Sequence, residues 1–258
     1  MKYKHSWTID RSRILFALKV IARWFRGKPG LIHAPGVHLI TGPSGSGKTL
    51  LMNIIIDVIL KKDGFVWANM DEFLHPRVLT FDIDKLFQDG DQKYKLPKRV
   101  YFPKPYDSYT YCKAVVIDEL NARFNRRMNR QTDYNDVFVP MIKFTVTHRH
   151  QIADKLYFIG QSLLLQDGQI QAVLKVRHDV RASKRWRYYF FREQKKMMYL
   201  PKKLIITNHV NSGVDPNGNI IWIQQKALTK IKVIPSDFES YDTHAFEKLF
   251  DHLPEYKG

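Results

Sequence analysis

Residues 37 to 50 read Val37-His38-Leu39-Ile40-Thr41-Gly42-Pro43-Ser44-Gly45-Ser46-Gly47-Lys48-Thr49-Leu50, an apolar run that breaks into a glycine-rich loop ending in Gly-Lys-Thr. Gly42, Gly47, Lys48 and Thr49 fit the spacing G-x-x-x-x-G-K-[ST] of a phosphate-binding loop. Val37, Leu39 and Ile40 predict a short buried strand before it, and Leu50, Leu51, Ile54, Ile55, Val58 and Ile59 recur at helical spacing behind it. A triphosphate carries dense negative charge that only convergent donors can hold. Glycine has no Cβ, so the loop can turn successive backbone N–H groups inward, and the helix opening near Lys48 adds its positive N-terminal dipole. The bound group is expected to be ATP, cradled by Gly42, Pro43, Ser44, Gly45, Ser46, Gly47, Lys48, Thr49 and Leu50. Lys48 is expected to reach the β and γ phosphates, and the Thr49 hydroxyl to sit on Mg²⁺, a hard ion that takes oxygen ligands.

A second signal lies downstream. Ala114-Val115-Val116-Ile117 predicts a buried strand whose end presents two carboxylates, Asp118 and Glu119. At such a position Asp118 can orient Mg²⁺, directly or through water, and Glu119 can polarise the water that attacks the γ phosphate. Leu156-Tyr157-Phe158-Ile159 predicts another buried strand, and Gln161 just past its end is a candidate sensor of the γ phosphate. A polar residue there is also an ordinary strand end.

The chain has 258 residues, enough for one large α/β domain. Its 42 Lys and Arg against 25 Asp and Glu give a formal charge of +17. Such a field attracts polyanions, nucleic acid first and an anionic membrane surface second. The single cysteine, Cys112, excludes an intrachain disulfide and a Cys-rich zinc framework, and the cytosol is the expected compartment. The apolar stretch from Ile14 to Phe25 is cut by Lys19 and Arg23, so it does not read as a secretory signal. No run of about 18 or more apolar residues occurs, so a soluble protein without a transmembrane helix is expected.

Three segments organise the chain. Residues 1–34 hold a basic amphipathic helix, about 10 to 26 with Asp10 as N-cap, and a linker. Residues 35–210 form the ATPase core, and 211–258 supply C-terminal strands and a peripheral tail. Residues 71–98 read as a helix plus loop over the sheet, and Val137 to Val146 as a helix. From Lys175 to Lys203, eleven Lys or Arg residues interleave with Trp186, Tyr188, Tyr189, Phe190, Phe191 and Tyr199. The alternation from Arg185 predicts a half-buried strand with its aromatics mainly in the core and its cations outside. A turn at Pro216-Asn217-Gly218 is expected to join two further strands.

The ordered set of the glycine loop, Val115-Val116-Ile117-Asp118-Glu119, Arg149-His150, Tyr157-Phe158-Ile159-Gly160-Gln161-Ser162 and Ser240-Tyr241-Asp242-Thr243 resembles the zonular occludens toxin-like family of phage morphogenesis ATPases. That resemblance covers roughly residues 35 to 245. It implies an α/β P-loop NTPase fold like the FtsK/HerA branch, with a mostly parallel central sheet flanked by helices and a β-rich C-terminal extension. It also implies action on viral DNA and, by analogy, a homo-oligomeric ring, possibly a hexamer. Filamentous-phage members resemble membrane-anchored proteins with a hydrophobic segment after the ATPase domain. This chain has none, which favours a DNA-packaging motor in the host cytoplasm over an extrusion ATPase docked to a membrane partner. Peripheral association with the virion, its capsid or the inner membrane stays open.

Charge building on the γ phosphate is commonly met by an arginine finger, often from a neighbouring subunit. Arg149 is the first candidate, with Arg126 and Arg127 behind it. Two other readings use the same cradle: a small-molecule kinase or GTPase, and a structural morphogenesis factor that binds nucleotide but turns it over little. The paired Asp118 and Glu119 and the basic excess weigh toward the DNA-moving ATPase.

Overall fold

The computed structural model describes residues 30–61, 64–70, 73, 75–83, 86, 96–103, 107–118, 134–162, 168–191, 196–234 and 237, with backbone alone at 134–138, 189–191 and 196–198. A 3-10 turn (Gly30–His33) leads into β1 (Gly36–Thr41), the glycine loop and α1 (Lys48–Leu60). Then come β2 (Phe65–Ala68), β3 (Val78–Thr80), β4 (Arg99–Phe102), β5 (Ser108–Ile117), α2 (Tyr134–Gln151) and β6 (Lys155–Ile159). The chain continues through α3 (Gly168–Val173), β7 (Val176–Ala182), β8 (Trp186–Phe191), β9 (Lys196–Pro201), β10 (Lys203–Val214), β11 (Ile220–Gln224) and β12 (Thr229–Lys232).

Ten strands form one sheet in the order β11-β10-β7-β1-β6-β5-β2-β3, with β12 also on β10 and β4 also on β5. The run from β7 to β3 is parallel. The outer strands β10, β11 and β12 on one side and β4 on the other are antiparallel. β1 is buried along its whole length and β6 almost so, which is why both read as continuous apolar runs: parallel strands are covered on both faces. One face packs α1 against Ile40, Val116, Ile159, Val180, Leu204 and Ile206. The other packs Met141 and Phe144 of α2 and Ile170 of α3 against Leu39, Ile117 and Phe158. Helix α1 buries Leu50 to Ile56, Ile59 and Leu60, the pattern of an interior helix rather than a surface one. The glycine loop therefore sits at the carboxyl ends of the parallel strands, where open α/β sheets bind ligands.

A polar seam crosses the α1 face. His38 Nε2 meets the Ala34 carbonyl at 2.7 Å, and its Nδ1 lies 2.9 Å from His178 Nε2. His178 Nδ1 lies 2.7 Å from the Asn208 side-chain oxygen, and Asn208 is 3.0 Å from Thr229 Oγ1. Tyr157 stacks on the His38 ring and donates to the Ile32 carbonyl. The seam ties β1, β7, β10 and β12 together with every buried ring nitrogen partnered.

Several expectations are corrected here. Residues 71–98 contain a strand, β3, where a helix plus loop was expected; its three residues pair in parallel with β2. β5 starts at Ser108, six residues before the apolar run at Ala114, because Tyr109, Thr110 and Tyr111 extend it as one arm of a hairpin with β4. The expected boundary at 210/211 falls inside β10, so residues 211–232 extend the core sheet. Tyr188, assigned to the core, is 64 % exposed: among the described residues β8 pairs with β9 alone in a two-stranded sheet, and the Tyr188 ring lies 4.6 Å from that of Tyr199, tilted by 33°. The helix at 10–26, Asn121 to Arg130, and the tail from Ser236, Asp237 excepted, lie outside the described residues.

Candidate active site

The loop has the geometry its sequence requires. Gly42 has φ +154° and Gly47 φ +90°. A Cβ on Gly42 would stand 2.5 Å from both Ser46 Oγ and the Val180 carbonyl, and one on Gly47 would stand 2.7 Å from Leu204 Cδ2. Only glycine fits either position. Gly47 caps α1 in the left-handed conformation and its carbonyl takes the Leu51 N–H at 2.8 Å. Pro43, Ser44 and Gly45 are exposed, so the mouth of the loop is open. Lys48 Nζ donates to the Gly42 and Pro43 carbonyls at 2.9 and 3.0 Å, the loop's own oxygens standing where phosphate oxygens would compete. Partial burial holds the Lys48 ammonium below its ordinary pKa, and the Asp118 charge works against that shift. Ser46 Oγ is buried without a hydrogen-bond partner among the described residues, a polar atom left for an oxygen-rich ligand. These residues fit a nucleotide triphosphate.

Asp118 follows the last residue of β5, and its N–H donates to Asn69 Oδ1 at 2.7 Å while Asn69 Nδ2 donates to the Asp118 carbonyl at 3.3 Å. Asn69, just past β2, therefore clamps the backbone of the acid across the strand gap. β5 is not the neighbour of β1: β6 lies between them. Gln161, two residues past the end of β6, is thus set between the phosphate loop and Asp118, and its carbonyl accepts the Gly42 N–H at 3.3 Å.

On the face opposite α1, a cavity of about 780 Å³ reaches the loop through Gly42, Pro43, Gln161 and Ser162 and is floored by Arg177 and Asp179. Thr41, the last residue of β1, donates to Asp179 Oδ1. Asp179 Oδ2 is held by Arg177 Nη2 at 3.1 Å and His209 Nε2 at 2.9 Å. Burial and the Arg177 charge keep the His209 pKa below its usual value, with Asp179 opposing both. Nearer the loop end, Arg181 pairs across β10 with Ile205 and on to Lys230, and Lys203 pairs with Lys232. Side chains directly opposite on neighbouring strands share a face, so Arg181, Lys203, Lys230 and Lys232 form one exposed basic patch. The alternate residues Val180, Leu204, Ile206 and Ile231 are buried against α1.

Of the residues picked from sequence, the structure brings together Gly42 to Leu50, Asp118 and Gln161. Glu119, Arg126 and Arg127 lie outside the described residues. Arg149 is not brought to this chain's own loop. It is exposed at the far end of β1, with Nη2 3.4 Å from the position of a Gly36 Cβ. Six strand residues, about 20 Å, separate that point from Gly42. The reason is directional: Arg149 ends α2 just before β6 begins, and β6 runs parallel to β1, so its entrance is at the opposite sheet edge. Sequence reading missed Asn69 and the Thr41-Asp179-Arg177-His209 cluster. The signal for the second was the period of Arg177, Asp179 and Arg181 alternating with Val176, His178 and Val180.

No family model matches the chain. It is 26% identical over 226 residues to an uncharacterised 37.2 kDa protein of Acholeplasma phage L2, covering 86% of this chain and 67% of that protein. Among solved structures, the N-terminal domain of zonular occludens toxin from Neisseria meningitidis aligns over 81% of this chain and 100% of its own, at 17% identity and TM-score 0.46. The genome packaging NTPase B204 of Sulfolobus turreted icosahedral virus 2, solved with ATP-gammaS, aligns over 78% and 98% at 13% identity and TM-score 0.37. No helix among the described residues is long and apolar enough to cross a membrane. By its strand order, its parallel sheet and its glycine loop between β1 and α1, the chain has the fold of a P-loop NTPase.

Proposed function

We propose that this chain is a phage ATPase of the zonular occludens toxin-like family that couples Mg²⁺-dependent ATP hydrolysis to movement of viral DNA during virion assembly. The observation that carries the reading is the loop itself: positive-φ glycines where no Cβ fits, a lysine held on the loop carbonyls and an orphaned Ser46 hydroxyl. ATP would displace the carbonyls from Lys48 with its β and γ phosphates. Thr49 and Asp118 would hold Mg²⁺, which neutralises charge on the phosphate oxygens. Asn69 fixes the Asp118 backbone for that task. Glu119 takes the proton of the attacking water, and Gln161 reports the γ phosphate to β6.

The patch of Arg181, Lys203, Lys230 and Lys232 supports a DNA partner, since clustered cations on one face are the electrostatic footprint of a phosphate-backbone binder. Binding of that kind is largely independent of sequence. A ring is part of the reading, because Arg149 lies too far from its own loop to act there and serves only as a finger donated to a neighbouring subunit. Within the chain, Arg177 and Arg181 line the cavity at the loop rim.

Measuring ATP turnover with and without DNA tests the proposal. Hydrolysis stimulated by DNA and cut on the order of a hundredfold or more by Glu119→Gln, with nucleotide still bound, is expected. Phosphate transfer to a metabolite with no response to DNA would favour the kinase reading instead.

A further inference from the structure

The hairpin of β4 and β5 carries an aromatic plate on its outer face. Arg99 pairs with Tyr111 and Tyr101 with Tyr109, so these four side chains share one face. The three tyrosines are 47 %, 59 % and 49 % exposed for Tyr101, Tyr109 and Tyr111. The opposite face is apolar and inward: Phe102 is buried and packs 5.7 Å from the Phe65 ring. The Arg99 guanidinium lies 4.6 Å from the Tyr109 centroid and 5.5 Å from that of Tyr111, while Tyr101 and Tyr109 lie 5.2 Å apart at 60°. Tyr101 donates to the Asp107 carboxylate, the one acidic group in contact with the plate among the described residues. The sequence around the hairpin is strongly basic, with Lys93, Lys95, Lys98, Arg99, Lys104 and Lys113 against Asp107 alone between residues 92 and 113.

From this juxtaposition we infer that the β4–β5 hairpin is a stacking platform for single-stranded DNA. The inference rests on the DNA-moving reading and adds the form of the strand. Exposed aromatic faces in a basic setting bind unpaired bases without sequence preference, each stacked base contributing roughly 5- to 100-fold in affinity. Duplex DNA hides those faces in its own stack. A protein partner would also bury tyrosines, but the surplus of cations favours a polyanion. The plate is far from the nucleotide: seven residue steps along the strand, about 23 Å, separate Tyr111 from Asp118. Both belong to one continuous strand, β5 with its next residue, so the platform and the magnesium-side carboxylate are joined by a single sheet element.

The test compares the full chain with Tyr109→Ala, Tyr109→Trp and Arg99→Gln, binding a labelled mixed-sequence oligonucleotide as single strand and as duplex, with thermal melts as a check on folding. Tyr109→Ala should weaken single-strand binding on the order of tenfold with an unchanged salt slope, and Tyr109→Trp should restore it. Arg99→Gln should lower the slope of log affinity against log salt by about 0.7. Duplex binding should move in Tyr109→Ala by less than about twofold. Single-strand affinity unchanged in Tyr109→Ala, or an equal loss on duplex, would overturn the platform. So would self-association of the wild type that Tyr109→Ala abolishes while DNA binding stays intact, which would make the plate a contact between copies. DNA-stimulated hydrolysis surviving in those cases leaves the motor reading standing, whereas a wild type that neither binds DNA nor responds to it removes both.

Discussion

Lowering the pH should destabilise this fold through the buried His38–His178 pair well before its carboxylates titrate. Burial, first of all, holds the His38 pKa down to about 3 and that of His178 to about 4, against an ordinary 6.5. The His178, Lys175 and Lys155 charges lower His38 further against its bond to the Ala34 carbonyl, and His33 and His209 lower His178, which Asn208 and Asp179 partly offset. Because both folded values lie below the unfolded one, the unfolded chain takes up protons first as pH falls. Stability is therefore complete above about 6.5 and is lost as pH falls from there through about 4 for His178 and about 3 for His38. At pH 5 a group that titrates at 6.5 only when unfolded costs about 1.4 kcal/mol for each of its 1.5 units, so about 2 kcal/mol per ring and about 4 for the pair. In a chain of this size that is a fall in Tm of roughly 8–16 °C.

His38 Nε2–H must donate to the Ala34 carbonyl, so Nδ1 is bare and takes the His178 Nε2–H. His178 Nδ1 faces the Asn208 side-chain oxygen at 2.7 Å, a contact that favours the charged ring and offsets part of what burial removes. Thermal melts of the wild type and His178→Gln at pH 7.5 and pH 5 check the reasoning. The glutamine variant should be less stable at neutral pH and should lose about half of the pH-dependent drop assigned to the pair. A wild-type Tm unchanged over this interval, or a drop of the same size in His178→Gln, would refute it.

Three further outcomes follow from the site. Lys48→Ala should reduce ATP turnover on the order of a hundredfold or more while leaving the melting temperature without nucleotide nearly unchanged, because its present partners are only loop carbonyls; turnover assays and melts read both. Lys203→Gln with Lys230→Gln should lower the salt slope for duplex DNA by about 1.8, two phosphate contacts at about 0.9 each, as read by anisotropy across a salt series. Asp179→Asn should weaken DNA stimulation of hydrolysis several-fold while basal turnover changes less, measured as the ratio of the two rates, since it loosens Arg177 and His209 without touching the phosphate loop.

What the sequence disclosed was whatever a local pattern determines. The glycine loop fixes strand, turn and helix within fourteen residues, and the apolar runs at Ala114 and Leu156 could only be covered strands. β3 escaped because three residues, none of them fully buried, leave no periodic trace and form a strand only by pairing with β2. The start of β5 escaped because Ser108 to Tyr111 are polar or exposed and owe their extended form to β4. Asn69 carries no motif, since its role is created by the neighbouring of β2 and β5, whose termini lie forty-nine residues apart in the chain. Arg149 reads from the sequence as an arginine-finger candidate, and the polarity of β6 puts it at the end of the sheet away from its own loop.

That polarity also explains how the site divides its tasks. Three parallel strands end side by side, with the glycine loop after β1, Gln161 after β6 and Asp118 after β5. β6 separates the other two, and the Gln161 carbonyl past its end accepts the Gly42 N–H, which ties the loop to that strand. On its other side β1 is tied through Thr41 to Asp179, the one carboxylate in β7, β10 and β12, and Asp179 is balanced by Arg177 and His209. A change at Arg177 or His209 therefore reaches Thr41, the residue before the first loop glycine, through one carboxylate.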